Sequence, residues 1–85
     1  MKLKYTYITH DSDGEQILLD TSSSFAGLIR NNKTAAFIVE CLKEETTQEK
    51  IVEAMFEKYD APKEVLAKDV LDVIDTLRKV GALDE

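Results

Sequence analysis

Nucleophilic catalysis in this 85-residue chain would require its one histidine, His10, beside a serine or beside its one cysteine, Cys41. His10 falls in a turn-forming stretch and Cys41 lies mid-helix, one residue before Leu42. Cys41 therefore reads as a small core or boundary side chain and not as a reactive thiolate. Asp11-x-Asp13-Gly14 has the beginning of a calcium loop, but the glycine comes at the fourth position instead of the sixth, and Ser22 occupies the twelfth, where a glutamate is required. With one His, one Cys and no HxxxH spacing, the chain lacks ligands for a transition metal. Gly14, Gly27 and Gly81 are too scattered to cradle a phosphate. Asp69, Asp72 and Asp75 recur at i, i+3 and i+6. They read as a solvated face, or, for Asp69 and Asp72 at the edge of an apolar stripe, as the border of a groove for a basic or polar partner. The expectation is a chain with no catalytic residue, no cofactor and no metal.

The elements that position these residues change character near Asn31. Before it, Lys2–Thr9 reads as a first strand, His10–Gly14 as a turn, Glu15–Asp20 as the return strand, and Phe25–Arg30, after a polar break, as a short third strand. After it the apolar period lengthens to that of a helix. Asn32 is a good N-cap for a first helix with Ala35, Ala36, Ile38, Val39 and Leu42 inward. Thr46 or Thr47 begins a second helix in a capping-box pattern, with Ile51, Val52, Met55, Phe56 and Tyr59 as its stripe. Pro62 suits the first turn of a third helix, whose stripe is Leu66, Val70, Val73, Ile74, Leu77 and Val80, and Gly81 stops it. Three antiparallel strands followed by three helices make an α+β fold, and residues 1–85 read as a single domain.

Charge and hydropathy narrow the partners. Eleven basic against seventeen acidic residues give −6. Residues 1–39 balance, so residues 40–85 carry all of it and would repel a polyanion; nucleic acid is disfavoured. Neither a signal-peptide core nor a membrane-length apolar run is present, and one cysteine suits a reducing compartment, so a cytoplasmic protein is expected.

A three-stranded meander leaves edge strands whose N–H and C=O groups another chain can pair with. The third strand joins the helical half directly through Asn31-Asn32, so its edge is expected beside the third helix, forming a groove suited to β-augmentation by a peptide.

The run Phe25-Ala26-Gly27-Leu28-Ile29-Arg30-Asn31-Asn32-Lys33-Thr34-Ala35-Ala36-Phe37-Ile38 resembles the signature of the PqqD family. So do Thr47-x-x-Lys50-Ile51-Val52, Phe56-x-x-Tyr59-Asp60, and Asp69-Val70-x-x-Val73-Ile74-x-x-Leu77-x-x-x-Gly81-Ala82-Leu83 in that order, over about residues 5–84. The resemblance implies a RiPP recognition element, a winged helix-turn-helix-like domain. Such a domain binds the leader of a ribosomally made precursor peptide and presents it to a modifying enzyme such as a radical S-adenosylmethionine protein or a leader peptidase. It further implies that the leader adds as a strand to the third strand, at Gly27, Leu28, Ile29, Arg30 and Asn31, and rests against the third helix. On that helix Val65, Asp69, Asp72 and Thr76 lie on one flank, joined by Val73 on the stripe, and Leu71 and Ala67 lie on the other; the first flank is the expected cleft wall, with Leu71 as the alternative. The chain departs from the family pattern at Ala35, where glycine is frequent, at Asn31, where an apolar residue is common, and at Val39, where tryptophan often stands.

A DNA-binding winged helix follows from the same element order, but the third helix balances Lys63, Lys68, Arg78 and Lys79 against Glu64, Asp69, Asp72 and Asp75. An enzyme-docking subunit, or a homodimer pairing through an exposed strand edge, stands as a further expectation.

Overall fold

The computed structural model describes residues 1–22 and 28–85, with Leu28 described by its backbone alone. Its elements are β1 (Lys2–Leu3), β2 (Tyr7–Ser12), β3 (Glu15–Asp20), β4 (Leu28–Asn31), α1 (Lys33–Cys41), α2 (Gln48–Lys58), α3 (Lys63–Lys79) and β5 (Leu83–Asp84). The antiparallel sheet β2-β3-β4 precedes the three helices as expected for an α+β, winged-helix-like fold. Of the expected third strand, Phe25, Ala26 and Gly27 lie outside the described residues.

The expected first strand is two strands. The Tyr7 amide donates to the Lys4 carbonyl at 3.0 Å, a turn that leaves Tyr5 almost fully exposed and redirects the chain. Before it, β1 pairs with β5, Lys2 opposite Asp84 and Leu3 opposite Leu83; after it, β2 pairs with β3. Strand β2 also runs further than expected. Asp13 and Gly14 both take positive φ, 51° and 79°, the two-residue turn whose twist matches a hairpin, so His10–Ser12 remain free to pair. His10 therefore stands on a strand opposite Ile17 and not in a turn.

Local chemistry sets the helix ends. Asn32 is extended, and its Oδ1 accepts from the Ala35 amide at 2.8 Å. Ala35 is thus an ordinary right-handed helical residue with no need of glycine. Thr47 caps α2 through its hydroxyl, which accepts from the Lys50 amide at 3.2 Å; because Lys50 and not an acid occupies that position, only half of the expected capping box forms. Pro62 is the N-cap of α3, one residue outside its first turn. At the other end Ala82 donates to the Leu77 carbonyl and Gly81 to that of Arg78, with Gly81 at φ 75°, a complete Schellman stop.

The core joins Leu18 of β3 to Ile38, Val39 and Leu42 around α1, Ile51 and Met55 of α2, and Leu66, Val70, Ile74 and Leu77 of α3. Leu3, Ala82 and Leu83 close it at the chain ends. Each fully buried aliphatic side chain contributes about 1.5–3 kcal/mol. Val39, where the family pattern has tryptophan, is completely buried. Two expected core positions are not core: Phe56 and Val80 are about half exposed. Phe56 lies under the Lys63 ammonium, 5.2 Å from its ring centroid, and Val80 follows the last turn of α3, where its carbonyl accepts from the Tyr7 hydroxyl of β2 at 3.2 Å while its side chain stays half exposed. Among the described residues no helix is long and apolar enough to cross a membrane.

Candidate functional site

Strand β4 has β3 on one side and, among the described residues, no strand on the other. The hairpin fixes which of its backbone groups face outward. A two-residue turn makes its flanking pair, Ser12 and Glu15, a hydrogen-bonded pair, and the alternation then gives Ile17 and Leu19 to β2, and Gln16 and Leu18 to β4. Gln16 stands opposite Asn31 and Leu18 opposite Ile29, so Ile29 and Asn31 spend their amides and carbonyls on β3. Leu28 and Arg30 present theirs to the open edge.

Side chains alternate across the same strand. Ile29 and Asn31 stand opposite buried Leu18 and Gln16 and share their helix-facing side, whereas Arg30 is exposed on the outer face opposite Ile17. Asn31 is buried because it is satisfied: its Nδ2 donates to Gln16 Oε1 at 3.0 Å, and Gln16 Nε2 donates to Glu40 Oε1 at 3.2 Å. A polar residue thus fits where an apolar one is common.

Between the open edge of β4, the start of α1 and α3 runs a trough. One compartment, about 220 Å³, is lined by Ile29, Arg30, Asn31, Asp72, Val73, Thr76 and Leu77. The adjoining one, about 240 Å³, is lined by Asn32, Thr34, Ala35, Ile38, Asp69, Asp72 and Val73. Asp72 and Val73 border both, so the compartments adjoin. The trough brings together Ile29, Arg30, Asn31, Asp69, Asp72, Val73 and Thr76 of the expected binding residues. It does not include Val65, which is half exposed nearer the start of α3, and Gly27 lies outside the described residues. Leu71, the alternative, is an exposed side chain outside the trough, and Ala67 borders α2 instead. The trough also includes Leu77, which periodicity places in the core, Asn32, which caps α1, and Thr34 in the first turn of α1; packing or capping does not stop a side chain from also lining a surface.

The trough carries an excess of negative charge, Asp69 and Asp72 against Arg30. Asp75 is 3.7 Å from Arg78, which also grips Glu85 at 2.8 Å, but neither Asp69 nor Asp72 has an ion-pair partner among the described residues. The Thr76 hydroxyl donates to the Asp72 carbonyl at 3.0 Å.

A larger concavity, about 490 Å³, lies across α1, lined by Lys33, Phe37, Glu40, Lys58 and Tyr59 with the hairpin tip. It is lined at the other edge of the sheet by Asp11 of β2 and includes no residue of β4 or α3, so it is separate from the trough. Cys41 is the last residue of α1 and not mid-helix; burial, and secondarily Glu40, push its thiol pKa up, which disfavours the thiolate. Among the described residues no group of three or more His, Cys, Asp or Glu is placed to hold a metal ion.

Two solved structures share this fold. TbiB1 in complex with the TbiA(β) leader peptide superposes with a TM-score of 0.80 at 22% identity, covering 99% of this chain and all of that one. A lasso peptide synthetase B1 complexed with the leader peptide gives 0.78 at 20% identity, covering 95% of this chain and 93% of that one. No curated protein matches the chain significantly. Residues 15–83, from β3 through the first residue of β5, match the family Coenzyme PQQ synthesis protein D, and the chain accordingly belongs to the PqqD family.

Proposed function

We propose that the protein binds the leader segment of a ribosomally made precursor peptide, without catalysis of its own, and presents the rest of that peptide to a modifying enzyme. The observation that carries this reading is the open edge of β4 beside the α3 trough: backbone donors and acceptors of Leu28 and Arg30 on one wall, side chains of Asp69, Asp72, Val73 and Thr76 on the other. Both structures of this fold named above were solved with leader peptides, and family membership supports the same role. The leader adds to β4 as a further strand, and the binding residues are Leu28, Ile29, Arg30, Asn31, Asp69, Asp72, Val73 and Thr76. The enzyme partner is a radical S-adenosylmethionine protein or a leader peptidase, and the setting is the cytoplasm, where ribosomal precursors arise. A homodimer paired through β4 would compete with the leader.

A DNA-binding winged helix is not favoured. Of the four cations on α3, Lys63 is held by Glu53 at 2.6 Å and Arg78 by Glu85, while Asp69 and Asp72 would face the polyanion. The test is a two-dimensional NMR titration of isotope-labelled protein with synthetic leaders from short reading frames beside its gene. Saturable shifts on residues 28–31 and 69–76 are expected. Saturable shifts confined to other surfaces would overturn the proposed site.

A further inference from the structure

Resting on the leader-binding reading, we infer that the bound peptide places a lysine or arginine side chain between Asp69 and Asp72, and an apolar side chain two residues away against Ile29 and Val73. A strand added to β4 alternates its side chains, so the residues opposite Ile29 and Asn31 turn toward α3 and those between them turn to the outer face. Two groove-facing residues of one strand are separated by about 6.6 Å, the scale on which two adjoining compartments are filled by one peptide. The compartment beside Ile29 is lined by Val73 and Leu77 together with Arg30, Asn31, Asp72 and Thr76, and the apolar surface of Ile29, Val73 and Leu77 suits an apolar side chain. Its neighbour beside Asn32 holds two carboxylates.

Those carboxylates differ from the other acids of α3. Glu64 stands in the first turn, where the helix dipole favours it, and Asp75 is compensated by Arg78. Asp69 and Asp72 lie mid-helix, one turn apart, facing Asn32 and the start of α1 just past the end of β4, without an ion-pair partner among the described residues. A cation entering from the peptide supplies the missing charge, whereas an acidic side chain in the same place would be repelled, so the pair selects as well as attracts. The residue between the two anchors lies beside exposed Arg30, where an acidic side chain is the complementary choice. The recognised segment is therefore an extended run of alternating apolar, acidic and basic residues.

An immobilised array of short extended peptides, with each position varied through Lys, Arg, Gln, Glu, Leu and Phe, tests this on the full chain. Cationic peptides are expected to bind about tenfold better than their glutamine counterparts, from roughly threefold per exposed ion pair. The preference should vanish in Asp69→Asn with Asp72→Asn and turn toward Glu in Asp69→Lys with Asp72→Lys. Asp72 is exposed and Asp69 half-buried, neither in the core, and circular dichroism checks that the variants fold. Equal or better binding of neutral or acidic peptides, or an unchanged preference in the variants, overturns the charge assignment. If Arg30→Pro still abolishes that binding, strand addition stands without it. Failure of every peptide on the array to bind overturns the leader-binding reading together with the inference.

Discussion

Asn31 on the edge strand and Gln16 on its neighbour face each other directly in the ladder, and their buried side chains join at 3.0 Å. This amide pair, extended by Gln16 to Glu40, ties the open strand to α1 and holds the trough's wall at a fixed distance from the helices. Asn31→Ala removes the donor and leaves the Gln16 carbonyl oxygen buried and unpaired, which is expected to lower stability by about 1–3 kcal/mol. Asn31→Leu combined with Gln16→Leu removes both partners and should recover most of that loss, because Glu40 keeps Lys43 at 2.9 Å. Urea unfolding of the two variants checks it.

Proline distinguishes the two faces of β4. Arg30→Pro deletes an amide that points at the open edge, where proline is tolerated, so the domain should stay folded while leader affinity falls by about tenfold or more. Ile29→Pro deletes an amide of the β3 ladder and should destabilise the sheet itself. Anisotropy with a labelled leader, read beside circular dichroism, separates the two; an intact leader affinity in Arg30→Pro contradicts the proposed pairing.

Gly81 ends α3 in the left-handed region with open space around it, the nearest atom to an added Cβ being the Lys4 ammonium at 4.0 Å. Gly81→Ala therefore costs backbone strain alone, about 1–2 kcal/mol. For a chain of this size each kcal/mol lowers the melting temperature by about 4–8 °C, a shift that thermal unfolding resolves. Leader affinity is expected to be unchanged in the folded variant.

Acid should weaken the fold through carboxylates that the native state holds below their ordinary pKa. The Ser22 hydroxyl and amide, at 2.6 and 2.9 Å, keep the Asp20 carboxyl low, and the Arg78 guanidinium does the same for Glu85. A depressed folded-state pKa gives stability that is present above the unfolded value and is lost as pH falls through the folded one. Stability should thus decline as pH drops below the ordinary carboxylate range, and Asp20→Asn should flatten that decline. Glu85 is exposed and held by an ion pair, so salt should reduce its part of the effect, whereas the Asp20 part, set by hydrogen bonds from Ser22, should persist. Urea midpoints over an acid series test the slope.

The sequence was most legible where one residue acts locally. Asn32, Thr47 and Gly81 mark helix ends by their own side chain or lack of one, and they stand where the structure ends those helices. The apolar period of α3 also places Asp69, Asp72 and Thr76 on one flank; on that flank Asp72 and Thr76 meet β4, and Asp69 meets the start of α1. What periodicity does not carry is the length of the neighbouring element. Phe56 and Val80 have the right phase for the core, but nothing covers them fully. The split of the first strand was hidden for a similar reason. Lys2-Leu3 leaves the hairpin because its partner, Leu83-Asp84, comes from the far end of the chain. The outward pair Leu28 and Arg30 required the register of both ladders, which follows from a turn one residue type cannot fix alone.

Hydrogen exchange at the four amides of β4 tests strand addition most directly. In the free protein Ile29 and Asn31 are expected to be protected by β3, while Leu28 and Arg30 exchange rapidly. With saturating leader peptide, Leu28 and Arg30 should become protected as well, since each then pairs with the added strand. Rapid exchange at both of these amides in the saturated complex would contradict leader binding by strand addition at β4.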